Sequence, residues 1–190
     1  MKSSIISSAG FSLLEVMITA VILSLGLLGL VALQTHSKFA SYEARQRTIA
    51  SWLANDMVER VRINRDSWSE ESSAAVGLAS NLTRPTCASE DGTISNCSAA
   101  DLRNADLHYW QQALLGASVS GAASSLNSPI GCVVRRANNV LAVGIFWAGK
   151  QEISDGAAAA AAAAATLINE CQLSTANNLS RRQFILTTTL

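Results

Sequence analysis

The sequence predicts an α+β fold in which a long N-terminal helix packs on an antiparallel β-sheet. Three observations lead to this prediction. Only Lys2 and Glu15 are charged in the first 37 of the 190 residues, so this segment faces a different solvent from the rest of the chain. An amphipathic helical pattern follows it, and the C-terminal part contains short apolar runs separated by turn residues.

The composition is that of one domain with an appended apolar segment. Fourteen Lys and Arg residues balance fourteen Asp and Glu residues, whereas a general nucleic-acid-binding protein usually carries a basic excess. Hydrophobic residues make up 49% of the chain, which is too many for disorder over its whole length. Neither disorder nor direct nucleic-acid binding is therefore expected.

The first element is an apolar run of 23 residues from Phe11 to Leu33 with one ionisable group. As a helix it would be about 34 Å long, enough to cross a bilayer core of about 30 Å. A cleaved secretory signal has a shorter apolar region that ends in its small-residue cleavage site, whereas here Ala9 and Gly10 come before the run. A buried helix of a soluble protein is disfavoured because the run is apolar all round. The sequence predicts a transmembrane helix over residues 11–34.

Glu15 is the one carboxylate inside this span. Placing it in the bilayer costs about 2.5 kcal/mol or more, so it needs a partner or a proton there. The alternative is a glutamate that only reaches toward a membrane interface.

The order of residues around Glu15 favours a glutamate that is paired within the membrane over one that only reaches toward the interface. Gly10-Phe11-Ser12-Leu13-Leu14-Glu15-Val16 resembles the processing site of the type IV pilin superfamily. This resemblance implies that a membrane aspartic peptidase cleaves between Gly10 and Phe11 and then methylates the new amino group of Phe11. The absence of a Cβ at Gly10 lets the backbone approach a catalytic site closely. The resemblance also implies that Glu15 pairs with the positive N-terminus of a neighbouring subunit.

Charge alone does not orient the transmembrane helix. Lys2 and the amino terminus on one side compete with Lys38, Arg45 and Arg47 on the other. The resemblance implies that residues 1–10 are a cytoplasmic leader peptide and that everything beyond about residue 34 lies outside. It thus implies a single-pass inner-membrane protein with a periplasmic head, which later enters the pilus fibre at or near its tip.

The second element is an amphipathic helix over residues 35–65 that continues into the head. Apolar side chains recur every four residues, and charged residues take the other faces. The repeating residues are Ile49, Leu53, Met57 and Val61, and Ala50 and Trp52 lie beside them. An exposed coiled coil is disfavoured because no seven-residue repeat is sustained. A run of Ser, Asp and Glu residues over 66–73 ends the helix.

Two stretches sharpen the resemblance. Residues 24–34 (SLGLLGLVALQ) and 50–65 (ASWLANDMVERVRINR) resemble the PilV-type minor pilins, also called type IV pilus modification proteins. Major pilins usually carry a helix-breaking proline in the second half of the membrane span. This chain has only Gly26 and Gly29 there, which does not predict local melting of the helix.

The remaining elements belong to the head, residues 66–190. Its polar start, 66–100, predicts a long loop, and the next stretch predicts a helix over 101–115 with its apolar residues largely on one side. Strands are predicted over 130–136, 140–147 and 184–190, the first two joined by a turn at Asn138-Asn139. The nine alanines over 157–165 are compatible with a short helix or a surface loop.

The chain has four cysteines, Cys87, Cys97, Cys132 and Cys171. None has the two-residue spacing of a zinc knuckle, so no metal site is expected. An even number of cysteines in a domain outside the cytoplasm indicates two disulfides. Three pairings are possible; we favour Cys87–Cys97 and Cys132–Cys171, with unpaired buried cysteines as the alternative.

No catalytic motif is recognisable in the sequence. Asp101 and Asp106 are five residues apart on the predicted helix, so they do not share a face, and a solvated helix surface explains them. We therefore expect neither an enzyme nor a cofactor.

The resemblance implies a minor pilin that helps to prime or cap pilus assembly within a minor-pilin tip complex. The partners it implies are other minor pilins, the major pilin, the prepilin peptidase and the inner membrane, with a tip adhesin as a further candidate. Twitching motility, cell adhesion and DNA uptake all remain open as roles of such a fimbrium. Two alternatives are a pseudopilin of a type II secretion system and a single-pass membrane anchor that carries a binding domain.

Overall fold

Three α-helices and four β-strands make up the regular structure of the residues that the computed structural model describes, 12–77, 80, 82–116, 126–149, 158–173 and 181–190. In chain order they are α1 (Leu13–Ile63), β1 (Ser72–Gly77), α2 (Ala99–Leu115), β2 (Ile130–Arg135), β3 (Val140–Trp147), α3 (Ala158–Glu170) and β4 (Arg182–Thr189). The chain divides into two units, Met1–Glu43 and Ala44–Leu190. The first contains the apolar part of α1. The second, called the head below, contains the remainder of α1 and every other element, so it begins before residue 66, the predicted start of the head.

Helix α1 is 51 residues long. It is free of proline, and it passes through Gly26 and Gly29 without a break, so the structure contains the long N-terminal helix that the sequence predicts. A short 3-10 turn, Arg65–Ser67, follows its end.

The sheet is a four-stranded antiparallel meander in the order β1-β2-β3-β4. The turn between β2 and β3 is the predicted one, because Asn138 and Asn139 both adopt positive φ angles of 62° and 60°, which asparagine tolerates better than most residues. Strand β4 is the predicted closing strand. The α+β class with a long N-terminal helix and an antiparallel sheet is confirmed.

Strand β1 corrects the prediction of a continuous loop over 66–100. Its sequence, SSAAVG, has little of the β-branched and aromatic character typical of strands. It is nevertheless paired along its whole length with β2, from Ser72 opposite Arg135 to Gly77 opposite Ile130. Pairing with a strongly β-forming neighbour, rather than its own propensity, makes this segment a strand.

The main core of the head lies between one face of the sheet and the helices α1 and α2. Trp110 of α2 is fully buried at its centre, and its Nε1 donates a hydrogen bond to the backbone carbonyl of Leu53 at 2.9 Å. Its ring lies so close to Gly131 that a Cβ there would stand 2.4 Å from a ring carbon. Only glycine therefore lets α2 approach β2 at this point.

A second, smaller core covers the opposite face of the sheet. Alternate residues of β2 and β3, such as Cys132 and Phe146, pack there against Leu167 and Ile168 of α3. Helices thus cover both faces of the sheet. Of the two conformations that the alanine run allowed, the structure shows the helix from Ala158 onward.

Trp52 does not share the apolar stripe of α1, although the sequence pattern predicts a place beside that stripe. Leu53, Met57 and Val61 are buried, whereas Trp52 is 71% exposed. Two residues along a helix are a rotation of about 200°, so Trp52 lies on the face opposite the buried Ala50 and points away from the core.

Candidate assembly site

The predicted cleavage site, Gly10 and Phe11, lies outside the described residues. The helix begins immediately after it: the backbone carbonyl of Ser12 accepts hydrogen bonds from the N–H groups of Glu15 at 3.0 Å and Val16 at 3.3 Å. The described chain therefore enters a helix within two residues of the Gly10-Phe11 junction.

Glu15 lies in the first turn of α1. A carboxylate there interacts favourably with the positive end of the helix dipole. Among the residues that the structure describes, no side chain forms a hydrogen bond or ion pair with it. Its position leaves the carboxylate available for a cation supplied by another chain.

The apolar part of α1 exposes its side chains on every face. Its large hydrophobic residues from Leu13 to Leu33 are 51–79% exposed. The most apolar stretch of 18 residues has a mean hydropathy of 2.6, and no residue of that stretch is buried. The helix is long and apolar enough to cross a membrane, and a continuous apolar surface of this size is typical of a membrane or protein interface.

Three hydroxyl groups of α1 in and just beyond the apolar run are satisfied within the helix. Thr19, Ser24 and Thr35 donate hydrogen bonds to the carbonyls of Val16, Val21 and Val31, respectively, at 2.5–2.9 Å. No water is available in a bilayer core to bond free polar groups, so such internal bonds lower the cost of placing these residues there. Glu15 is the one ionisable group in the described part of the apolar run, residues 12–33.

The head presents no catalytic arrangement within its described residues, and no cluster of His, Cys, Asp or Glu there could hold a metal ion. Its most unusual ionisable group is Asp106. The interpretation of Asp106 as part of a solvated surface is wrong, because this residue is only 2% exposed. The Asn64 amide donates a hydrogen bond to its carboxylate at 2.8 Å. Asp106 joins the end of α1 to α2, which is a structural role.

Burial raises the pKa of Asp106, although the Asn64 hydrogen bond and the charge of Arg60 act in the opposite direction. The folded state therefore binds the carboxyl proton of Asp106 more tightly than the unfolded state does. Asp106 lowers the free energy of unfolding as pH rises from the ordinary pKa of an aspartate, 3.8, to the raised pKa of the folded state. We expect Asp106→Asn, which can still accept the Asn64 hydrogen bond, to stabilise the head at pH 7 and to weaken this pH dependence. Urea unfolding of wild type and Asp106→Asn at pH 4.5 and pH 7 measures the free energy of unfolding of each. A variant that loses more stability relative to wild type at pH 7 than at pH 4.5 would contradict the prediction.

Two disulfides constrain the head, and they join the pairs favoured from the sequence. Cys87 is bonded to Cys97, with a Cα–Cα distance of 5.3 Å, and closes an exposed loop before α2. Cys132 in β2 is bonded to Cys171 directly after α3, with a Cα–Cα distance of 6.0 Å. The second bridge fixes the end of α3 to the middle of the sheet.

Two family models match the chain. One, described as a prokaryotic N-terminal methylation motif, matches residues 6–31, which include Gly10, Phe11 and Glu15. The other, described as type IV pilin Tt1218, matches residues 32–108, from the middle of α1 into α2. Comparison with curated proteins and with solved structures found no match.

Proposed function

We propose that this chain, which belongs to the type IV pilin family, is a minor pilin of the PilV type that primes or caps pilus assembly within a tip complex. The family is structural rather than enzymatic, and the chain is a pilin structural subunit. The observation that carries the proposal is the methylation motif at residues 6–31, which continues into a helix that exposes apolar side chains on every face. Such a helix is stable in a bilayer and can then pack among like helices in a fibre.

The parts of the chain take separate roles in this proposal. Residues 1–10 are the leader, 11–34 the transmembrane and assembly helix, 35–65 the amphipathic helix, and 66–190 the periplasmic head. The two disulfides support the extracytoplasmic placement of the head, because disulfides persist in oxidising compartments. The proposed partners are the prepilin peptidase and then other minor pilins and the major pilin.

Processing is the first test. We expect the chain purified from the membrane of cells that contain the peptidase to lack residues 1–10 and to carry one added methyl group on Phe11. Intact-mass measurement detects both changes. Gly10→Val should block cleavage, because the side chain obstructs the close approach of the backbone, whereas Ala9→Ser should be processed normally. A full-length mass for the unaltered chain would contradict the proposal.

The role in assembly requires a second measurement. We expect cells that lack this chain to carry far fewer pili, and wild-type chain supplied in trans to restore them. Quantitative mass spectrometry of sheared pili should find the chain at a small fraction of the major pilin. Normal piliation together with absence from sheared pili would contradict the minor-pilin role, and a defect confined to protein secretion would indicate the pseudopilin alternative.

A further inference from the structure

An open groove of about 860 Å³ crosses the surface of the head. The second half of α1, helix α2 and the loop closed by Cys87–Cys97 form its walls, and we call it the Trp52 groove; its lining includes Trp52, Arg84, Asp91, His108, Tyr109 and Gln112. We infer that the Trp52 groove binds a neutral oligosaccharide. The inference concerns the head alone and does not rest on the minor-pilin role.

The first argument is the exposed aromatic ring. The chain has four tryptophans; Trp68, Trp110 and Trp147 are at most 1% exposed, whereas Trp52 is 71% exposed. Holding an indole in water forgoes a large hydrophobic gain. A flat aromatic face offers a pyranose ring a surface on which its C–H groups can pack, while the hydroxyl groups of the sugar remain free for polar neighbours.

The second argument is the charge of the groove. Three carboxylates, Asp56, Glu90 and Asp91, line it together with two guanidinium groups, Arg60 and Arg84, so its described lining has a formal charge of −1 with His108 neutral. Asp56 pairs with Arg60 at 2.9 Å, and Arg84 lies 3.7 Å from Glu90. Hydrogen bonds from Thr93 lower the pKa of Asp91, which therefore stays ionised at neutral pH. Phosphorylated, sulfated and sialylated ligands are disfavoured, and carboxylates remain to accept hydrogen bonds from hydroxyl groups.

The third argument is that the polar side chains are held in place before a ligand arrives. The Tyr109 hydroxyl donates to the carbonyl of Ser89 at 2.5 Å. His108 Nδ1 lies 3.1 Å from the carbonyl of Leu82, and this contact fixes the orientation of the imidazole ring. The disulfide and the bridge between Ala88 and Ile94 fix the loop. Such preorganisation reduces the entropy lost on binding.

The same geometry disfavours a peptide as the occupant. Two walls are helices whose backbone groups bond internally, and the loop bonds its own backbone, for example Ser89 N–H to Thr93 at 2.9 Å and Ser95 N–H to Cys87 at 3.0 Å. The walls therefore offer no row of backbone groups for an added strand. A bound amphipathic helix would need several apolar anchors, but among the described lining residues only Trp52 and Ile94 are exposed large hydrophobics.

The test uses the full-length chain in a detergent without a sugar head group, because maltoside and glucoside detergents would compete for the groove. The probe is an array of neutral oligosaccharides of hexoses and N-acetylhexosamines, with sialylated and sulfated counterparts. We expect binding to neutral members only. Titration of a bound member should change the tryptophan fluorescence, because Trp52 is the exposed tryptophan of the four.

Variants decide whether the groove is responsible. We expect Trp52→Ala to weaken binding at least about tenfold and Trp52→Tyr, which keeps an aromatic face, to weaken it less. Ile63→Ala is the matched control, since Ile63 lies on the same helix, is 81% exposed and does not line the groove; its binding should equal that of the wild type.

Four results would overturn the inference. Three concern binding: no array member binds, only charged members bind, or Trp52→Ala binds as well as wild type. In the fourth, no saccharide binds, and Trp52→Ala loses crosslinks that the wild-type chain forms with another pilin in sheared pili. The last would identify the groove as a contact between pilins.

Discussion

Replacing Glu15 by Val should leave the chain in the membrane and remove most of it from sheared pili. The free monomer loses a carboxylate that is costly in lipid, so its insertion should be unchanged or slightly better. In the fibre, the variant leaves the proposed partner, the amino group of Phe11 on a neighbouring subunit, without a counter-ion. Breaking a buried ion pair costs about 3–5 kcal/mol, and each 1.4 kcal/mol is a factor of ten in an equilibrium. We therefore expect incorporation to fall at least about tenfold.

The measurement is the amount of each variant in sheared pili relative to the membrane pool. Glu15→Asp keeps the charge with a shorter reach and should be intermediate. Thr19→Val is the matched control, because Thr19 lies one turn further along the same helix and its hydroxyl bonds within its own chain. Equal incorporation of wild type and Glu15→Val would show that Glu15 is a tolerated interfacial residue.

Removing the Cys132–Cys171 disulfide should destabilise the head more than removing the Cys87–Cys97 disulfide. The two cysteines are separated by 39 residues, and closing a loop of this length stabilises a fold by about 4 kcal/mol in the chain-entropy model. Cys87 and Cys97 are separated by 10 residues, which gives about 3 kcal/mol by the same relation. The Cys132→Ala/Cys171→Ala double variant should therefore lose more stability than the Cys87→Ala/Cys97→Ala double variant.

Guanidinium unfolding of the full-length proteins, followed by the near-UV signal of the buried tryptophans, measures both losses. The Cys87→Ala/Cys97→Ala variant is the matched control for the Cys132→Ala/Cys171→Ala variant. Non-reducing peptide mapping of the wild-type chain should find both linkages. Four alkylated thiols in protein from the native envelope, or equal stability of the first variant and wild type, would contradict this prediction.

The parts of the fold that the sequence predicted have strong local signals. A long apolar run and a four-residue repeat specify α1 without help from other elements, and the apolar runs on either side of Asn138-Asn139 specify β2 and β3. The alanine run was ambiguous because alanine favours a helix but supplies little apolar surface to anchor one. Leu167 and Ile168, beyond the run, provide that anchor.

The features that the sequence did not predict depend on distant parts of the chain. Strand β1 takes its conformation from β2, more than fifty residues later. The burial of Asp106 depends on Asn64 at the end of α1. The Trp52 groove combines α1 and α2 with the Cys87–Cys97 loop. The sequence signal that could have indicated it is the position of Trp52 outside the strict four-residue repeat, because a residue off the apolar stripe is exposed.

The core of the head joins the two ends of its sequence. Leu53 and Met57 of α1 belong to the same cluster against which Phe184 and Leu186 of β4 pack. During synthesis the α1 residues are made well before β4. Contacts between residues so distant in sequence form slowly, so the apolar cluster of the nascent head stays incomplete until β4 has been made. Resistance to added protease should therefore appear only in chains that include β4 and not in chains that stop after α3.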